Sequence, residues 1–312
     1  MTVSTTGEFG LIARVTARLG VGPTCLLGPG DDAAVVVAPD NRVVVSTDVL
    51  VEGRHFRRDW SSASDVGHRA AAANMADIAA MGAVPTALLV ALCAPRDLEV
   101  SWAEELADGL AAEAALAGAC VVGGDVSASP TLTIAVTALG DLRGAEPVRR
   151  SGARPGDVVA LSGRIGYAAA GYTVLSRGFR SPKVLVEAYR RPALRYAAGP
   201  AAGRLGATAM IDISDGLLAD LGHVATASGV GIDVKRDVFV VPEQMRDAAT
   251  ALGVDPYTWI LTGGDDHPLA ATFPAATVLP SDWTVIGAVA QGRGVTVDGE
   301  PWAGATGWDH FR

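Results

Sequence analysis

The sequence predicts an α/β (α+β) chain of two domains, and three observations carry that prediction. Its 312 residues are about twice the length of a common single domain. Period-two apolar runs, such as 132–139, are interspersed with helical patterns, such as 64–81, in both halves. Between the halves, 141–157 changes character: Arg143, Arg149, Arg150 and Arg154 stand among Gly144, Pro147, Gly152, Pro155 and Gly156. That stretch sets the expected boundary, with one α/β domain over 1–145 and a second over 146–312.

The elements follow in order. A helix is expected over 8–19. Two short β-branched runs, 33–38 and 43–47, flank the turn signal Pro39-Asp40-Asn41. Ser64 can cap a helix over 64–81, which Gly82 and Pro85 stop. A strand is expected at 86–92. Ser101 and Glu104 have capping-box spacing and open a predicted helix to 116, ended by Gly118. Strands at 119–122 and 132–139 complete the first half. The second half has predicted strands at 158–161, 207–211, 231–234, 284–289 and 294–297. Its predicted helices are 166–176, 183–198 and 217–227. No internal repeat of solenoid length occurs.

Composition excludes several classes. Hydrophobic residues are 49% and charged residues 19%, so buried cores are available and global disorder is excluded. The net charge of −9 shows no basic stripe to displace phosphate counterions, so a nucleic-acid partner is not expected. Cys25, Cys93 and Cys120 are far apart and form no Cys-x-x-Cys, which argues against a disulfide framework or zinc ribbon and for a reducing, cytoplasmic setting. Glu8, Arg14 and Arg18 come too early for a signal-peptide core. The uncharged run 78–95 approaches bilayer-spanning length, but Gly82 and Pro85 break it into a helix end, a turn and a buried strand. No membrane partner is expected.

The chemistry lies in the aspartates. Asp31, Asp32, Asp48, Asp125, Asp212, Asp215, Asp265 and Asp266 each follow an apolar run or sit in a Gly-rich turn. Asp77 lies within the helix over 64–81, three residues after Asn74 and so on the same face. Any one of them reads most simply as a turn former or cap. Together, embedded between apolar runs, they would repel one another unless a hard cation such as Mg²⁺ joined them, with oxygen from Ser46 and Thr47 as neutral donors. The segment 212–216 ends a strand and opens a helix, a place whose free N–H groups favour phosphate, although Ser214 can equally be a plain cap. Phosphate-handling motifs built on lysine are absent: neither Lys183 nor Lys235 sits in a Gly-rich loop, and there is no Walker A or protein-kinase loop.

In order along nearly the whole chain, 28–35 (GPGDDAAV), 46–56 (STDVLVEGRHF), 74–82 (NMADIAAMG), 123–125, 150–156 (RSGARPG), 211–217 (IDISDGL) and 307–311 (GWDHF) resemble the thiamine-monophosphate kinases. These belong to the aminoimidazole ribonucleotide synthetase-like ATP-binding superfamily. The resemblance implies two domains, a homodimer formed through the N-terminal domains, and ATP with several Mg²⁺ ions between the domains. It implies in-line phosphoryl transfer from ATP to thiamine phosphate, the last step of thiamine diphosphate synthesis. The implied metal ligands are Asp32, Ser46, Thr47, Asp48, Asp77, Asp125, Asp212 and Asp215. Gly124, Asp125, Arg150 and Ser214 would contact ATP, and His55, Asp265 and Trp308 would face thiamine phosphate. No catalytic base is expected, because the acceptor phosphate is already ionised and the task is positioning and charge neutralisation. One departure stands out. The family pattern Gly-Gly-Glu-Asp-Tyr-Glu is here Gly263-Gly264-Asp265-Asp266-His267-Pro268, which shortens the acid at 265 by a methylene and removes a backbone donor at 268. Rival readings are a superfamily sibling acting on another acceptor, a two-metal phosphohydrolase, and a metal- or nucleotide-binding regulatory module.

Overall fold

The computed structural model describes residues 1–20, 22–29 and 33–308. Two compact units are present. One comprises Met1–Ile78 and Ala83–Gly144, and the other Ala79–Gly82 and the chain from Ala145 onward.

The first unit contains α1 (Val3–Thr6), α2 (Glu8–Thr16), β1 (Cys25–Leu27), β2 (Val35–Val36), β3 (Val44–Val51), most of α3 (Ala63–Ala80), β4 (Val84–Ala94), α4 (Val100–Ala117), β5 (Cys120–Ala128) and β6 (Thr133–Asp141). Strands β1 and β2 pair antiparallel, and the main sheet runs β3-β6-β4-β5, parallel only between β4 and β5. Alternation along the strands separates two faces. Leu50, Leu88, Leu92, Ile134, Val136 and Ala138 are buried on one, while Val45, Val49 and Leu89 on the other are 58%, 46% and 38% exposed. Helices α3 and α4 approach backbone to backbone. A β-carbon at Gly67 would lie 2.2 Å from the Leu106 carbonyl oxygen, and one at Gly109 2.1 Å from that of Ser64.

The uncharged run resolves as predicted into the end of α3, a turn at Gly82 with φ 76°, and β4. Among the described residues no helix is long and apolar enough to cross a membrane. The predicted capping box does not form. Helix α4 starts at Val100, with Glu99 as N-cap and no side-chain cap. Burial of Val100 draws the first turn into the core two residues early, which leaves Ser101 inside the helix.

The second unit contains β7 (Asp157–Ser162), α5 (Tyr167–Ser176), α6 (Lys183–Arg190), α7 (Ala198–Arg204), β8 (Ala209–Asp212), α8 (Leu217–Ser228), β9 (Gly231–Val234), α9 (Glu243–Leu252), α10 (Pro256–Thr262), β10 (Leu269–Pro274), β11 (Thr284–Ala290), β12 (Gly294–Val297) and β13 (Glu300–Pro301). Its sheet runs β13-β12-β9-β11-β7-β10-β8, antiparallel except between β12 and β9. The helix expected over 183–198 ends at Arg190, because Pro192 cannot continue it; α7 then begins at Ala198. Helix α10 is opened by Asp255, whose side chain accepts the Tyr257 N–H, with Pro256 in the first turn.

Candidate active site

In the first unit, Ser46 and Asp48 project from the same face of β3 as buried Leu50. The Ser46 hydroxyl donates to Asp77 Oδ2 at 2.6 Å. The Asp48 N–H donates to Asn74 Oδ1 at 2.9 Å, and Asn74 Nδ2 donates to the Ala70 carbonyl at 2.9 Å. The Asn74–Asp77 face of α3 therefore grips β3 and gathers Ser46, Asp48 and Asp77. Thr47 points the other way. Its hydroxyl donates to the Val136 carbonyl at 2.9 Å and lies 3.1 Å from Thr137 Oγ1.

Asp125 is not brought to this group within the unit. The register Val49↔Ala135↔Ala91↔Asp125 puts it on the face of Val49, on the edge strand opposite β3. At about 4.8 Å per strand spacing the separation is roughly 14 Å. Gly124 is demanded by packing, since a β-carbon there would lie 1.8 Å from the Val90 carbonyl oxygen. His55 closes a tight turn after β3. Its Nδ1 accepts the Val51 N–H at 3.0 Å and its own N–H donates to the Val51 carbonyl at 2.9 Å, so a neutral ring carries its hydrogen on Nε2. Asp32 lies outside the described residues, as do Asp31 and the end of the 307–311 motif.

In the second unit, β8 ends at Asp212 and the chain turns through Ile213, Ser214, Asp215 and Gly216 into α8. Two segments clasp this turn. From the 263–268 loop, the Asp265 N–H donates to the Ser214 carbonyl at 2.8 Å and the His267 N–H to the Ile213 carbonyl at 3.1 Å, while the Ile213 N–H donates to the Pro268 carbonyl at 2.9 Å. From the C-terminal side, the Trp308 N–H donates to the Asp215 carbonyl at 2.9 Å, and the Trp308 side chain remains exposed. Asp212, Ser214, Asp215, Asp265 and Trp308 thus meet on one turn. Pro268 lacks an N–H, yet its carbonyl keeps the loop paired. Arg150 is exposed. Its segment is pinned by Ser228 Oγ, which donates to the Arg150 carbonyl at 3.1 Å and accepts the Gly152 and Ala153 N–H groups at 3.1 Å each.

Three side chains that sequence reasoning did not assign complete this half. Asp220 Oδ2 accepts the Asp215 and Gly216 N–H groups at 3.0 and 3.1 Å, so it occupies amides expected to meet phosphate. Burial pushes its carboxyl up to about 7; those amides oppose the rise, and the charges of Asp212 and Asp215 add to it. His267 Nδ1 lies 3.1 Å from Asp212 Oδ2, both side chains being buried. Asp266 Oδ1 accepts the Ala168 N–H at 2.9 Å at the start of α5, while its Oδ2 has no hydrogen-bond partner among the described residues. Burial pushes this carboxyl up to about 7 against the pull of the Ala168 amide. Asp220 carried a sequence signal as an acid in the first turn of a predicted helix, and Asp266 as an acid in a Gly-rich turn. Ser214 does not cap α8; Gly216 is its N-cap.

The donor chemistry fits Mg²⁺. Apart from His267, both groups offer oxygen only, as a hard cation prefers. Among the described residues no three His, Cys, Asp or Glu side chains form a metal cage. A cation held by one or two carboxylates and shared with phosphates needs none. The mutual repulsion of Asp212, Asp215 and Asp220 leaves the β8–α8 turn favourable to a cation.

Comparison with known proteins agrees along the whole chain. Residues 30–142 match the AIR synthase related protein N-terminal domain, and 154–299 match its C-terminal domain. The Mycobacterium tuberculosis thiamine-monophosphate kinase is 47% identical, covering 99% of this chain and 93% of its own. The crystal structure of the Stenotrophomonas maltophilia thiamine-monophosphate kinase superposes with a TM-score of 0.82 at 35% identity, covering 93% of this chain and 96% of that one. A structure named "AaThiL complexed with AMPPCP and TMP" gives a TM-score of 0.82 at 34% identity, covering 100% and 99%. Likeness that holds across both units, at this identity and nearly end to end, makes the chain a member of the thiamine-monophosphate kinase family.

Proposed function

We propose that this chain transfers the γ-phosphoryl group of ATP in line to the phosphate of thiamine phosphate, giving thiamine diphosphate and ADP. The observation that carries the reading is the clasped β8–α8 turn, where Ile213, Ser214 and Asp215, directly after Asp212, are bound through backbone hydrogen bonds to the segments bearing Asp265 and Trp308. Relatives that are thiamine-monophosphate kinases, and the neighbour with AMPPCP and TMP bound, support both substrates.

Ser46, Asp48 and Asp77 in one unit, and Asp212 and Asp215 in the other, would hold Mg²⁺. When bound, it neutralises phosphate charge on donor and acceptor. Thr47 would join through its carbonyl oxygen, since its hydroxyl is turned away. Asp32 and Asp125 enter the set from the family resemblance alone. Arg150 and the hydroxyl of Ser214 would meet the nucleotide phosphates, and Gly124 would contact ATP. His55 would donate from Nε2 to the acceptor phosphate. The exposed indole of Trp308 offers a face to the cationic thiazolium ring. Asp265, one methylene short, would reach the substrate from a loop that is clamped to Ser214. No side chain acts as general base, because the acceptor oxygen is already ionised.

The open face of the β3-β6-β4-β5 sheet, with exposed Val45, Val49 and Leu89, is the surface on which two copies would pair as a homodimer. The ATP requirement and three free cysteines suit a cytoplasmic enzyme.

The test is to incubate protein, ATP, Mg²⁺ and thiamine phosphate, omit each in turn, and resolve thiamine species by chromatography. Thiamine diphosphate should appear only in the complete mixture and vanish in Asp48→Ala and Asp215→Ala. ADP without thiamine diphosphate would move the function to another acceptor. No turnover from folded protein would favour a nucleotide-binding module.

A further inference from the structure

The geometry points to His267 as a positioning residue that sets the orientation of the Asp212 carboxylate for its cation. The inference rests on the reading of Asp212 as a Mg²⁺ ligand. His267 Nδ1 and Asp212 Oδ2 are 3.1 Å apart, with side-chain exposures of 7% and 5%. An ionised carboxylate only accepts, so the ring must present Nδ1–H. Both the imidazolium and the neutral tautomer with hydrogen on Nδ1 do so.

The contact is built by the backbone. Asp212 is the last residue of β8 and pairs with Leu269 of β10. Two residues earlier, His267 has φ 53°, a left-handed conformation that side-chain-bearing residues rarely adopt. The chain holds it there by the His267 N–H to the Ile213 carbonyl at 3.1 Å and the Ile213 N–H to the Pro268 carbonyl at 2.9 Å. This turn swings the imidazole back over the end of β8. One carboxylate oxygen is thereby committed, and Oδ1, with no hydrogen bond among the described residues, is aimed as the donor for a cation. Outer partners of this kind fix ligand orientation, and their loss typically weakens metal affinity about 10–100-fold. The same loop carries Asp265, so the imidazole adds a side-chain link between the metal ligand and a loop already held by backbone hydrogen bonds. This position is tyrosine in the family pattern.

The experiment titrates Mn²⁺ into the full-length protein with AMPPCP present, following the free-ion signal by electron paramagnetic resonance, with thermal melting alongside. Asp212→Asn should abolish tight Mn²⁺ binding. His267→Ala should raise the Mn²⁺ Kd about 10-fold. His267→Asn should stay within about 3-fold of wild type, because its amide sits where Nδ1 does and asparagine tolerates left-handed backbone. Should His267→Ala fail to fold, His267→Gln serves, its amide displaced by one carbon, and it should bind Mn²⁺ more weakly than His267→Asn. A packing role alone would lower Tm in Ala and Asn alike and leave Mn²⁺ affinity unchanged. The proposal is overturned if His267→Ala binds Mn²⁺ as wild type does, or if Asn is no better than Ala or Gln. If Asp212→Asn keeps Mn²⁺ affinity, the ligand reading of Asp212 fails and takes the proposal with it. If only the His267 variants keep it, the proposal fails alone.

Discussion

Gly264 packs so tightly on Ser214 that a β-carbon on it would stand 2.0 Å from the Ser214 carbonyl oxygen. The 263–268 loop and the β8–α8 turn are therefore one backbone assembly. Gly264→Ala is expected to force them apart, costing about 1–3 kcal/mol and most of the activity. Gly222, inside α8 with open space around it, is the control: Gly222→Ala should stabilise by about 0.5–1 kcal/mol and leave turnover intact. Denaturant melts and the kinase assay on both variants decide it. Equal behaviour of the two would contradict the tight apposition.

Ser46 and Asp77 predict a graded response. The 2.6 Å hydrogen bond makes Ser46 an orienter of Asp77 as well as an oxygen donor. Asp77→Ala should reduce kcat/KM by about 100-fold or more, and Ser46→Ala by about 10-fold, with ATP turnover measured across Mg²⁺ concentrations. High Mg²⁺ should recover part of the Ser46→Ala loss. A Ser46→Ala enzyme with unchanged Mg²⁺ dependence would refute this coupling.

Asp266 makes stability fall as pH rises. Its carboxyl titrates near 3.8 when unfolded and about 7 when folded, so the folded state holds more protons across that window. The contribution of this carboxyl is fullest below about pH 4 and is lost as pH rises through about 7. Asp220, also raised to about 7, acts in the same sense. Asp266→Asn should keep the acceptor for the Ala168 N–H, flatten the curve, and gain about 1–4 kcal/mol at pH 8, the upper figure being the full linkage. Urea melts from pH 4 to 8 measure this. A variant with the wild-type slope would show that another group sets it.

Val45 tests the pairing of copies. It is 58% exposed on the open face of the sheet, beside Val49. Val45→Glu should convert a dimer to monomer by light scattering, since a buried unpaired carboxylate is costly at an apolar interface. A wild-type chain that is monomeric would remove the homodimer from the proposed function.

Much of the fold is written locally. Gly82 and Pro85 announce the break between α3 and β4, and the alternation of 132–139 announces β6. Elsewhere local signals mislead. Ser101 and Glu104 have capping-box spacing, but burial of Val100 starts α4 early. The helix expected over 183–198 ignored Pro192. Strand β10 gave no period-two signal, because Leu269 to Phe273 are buried on both faces between β7 and β8.

The sequence by itself determined the family, the alternating elements, and which acids are candidates for the chemistry, because glycine-flanked aspartates, β-branched runs and helix stops are read from neighbours along the chain. Tertiary structure alone decided how those acids are grouped. It joined Ser46 to Asp77, turned Thr47 and Asp125 to the other sheet face, and set His267 against Asp212. The physical reason is register. A strand's side chains alternate faces with every residue, and partners far apart in sequence are chosen by pairing and packing that no local pattern records.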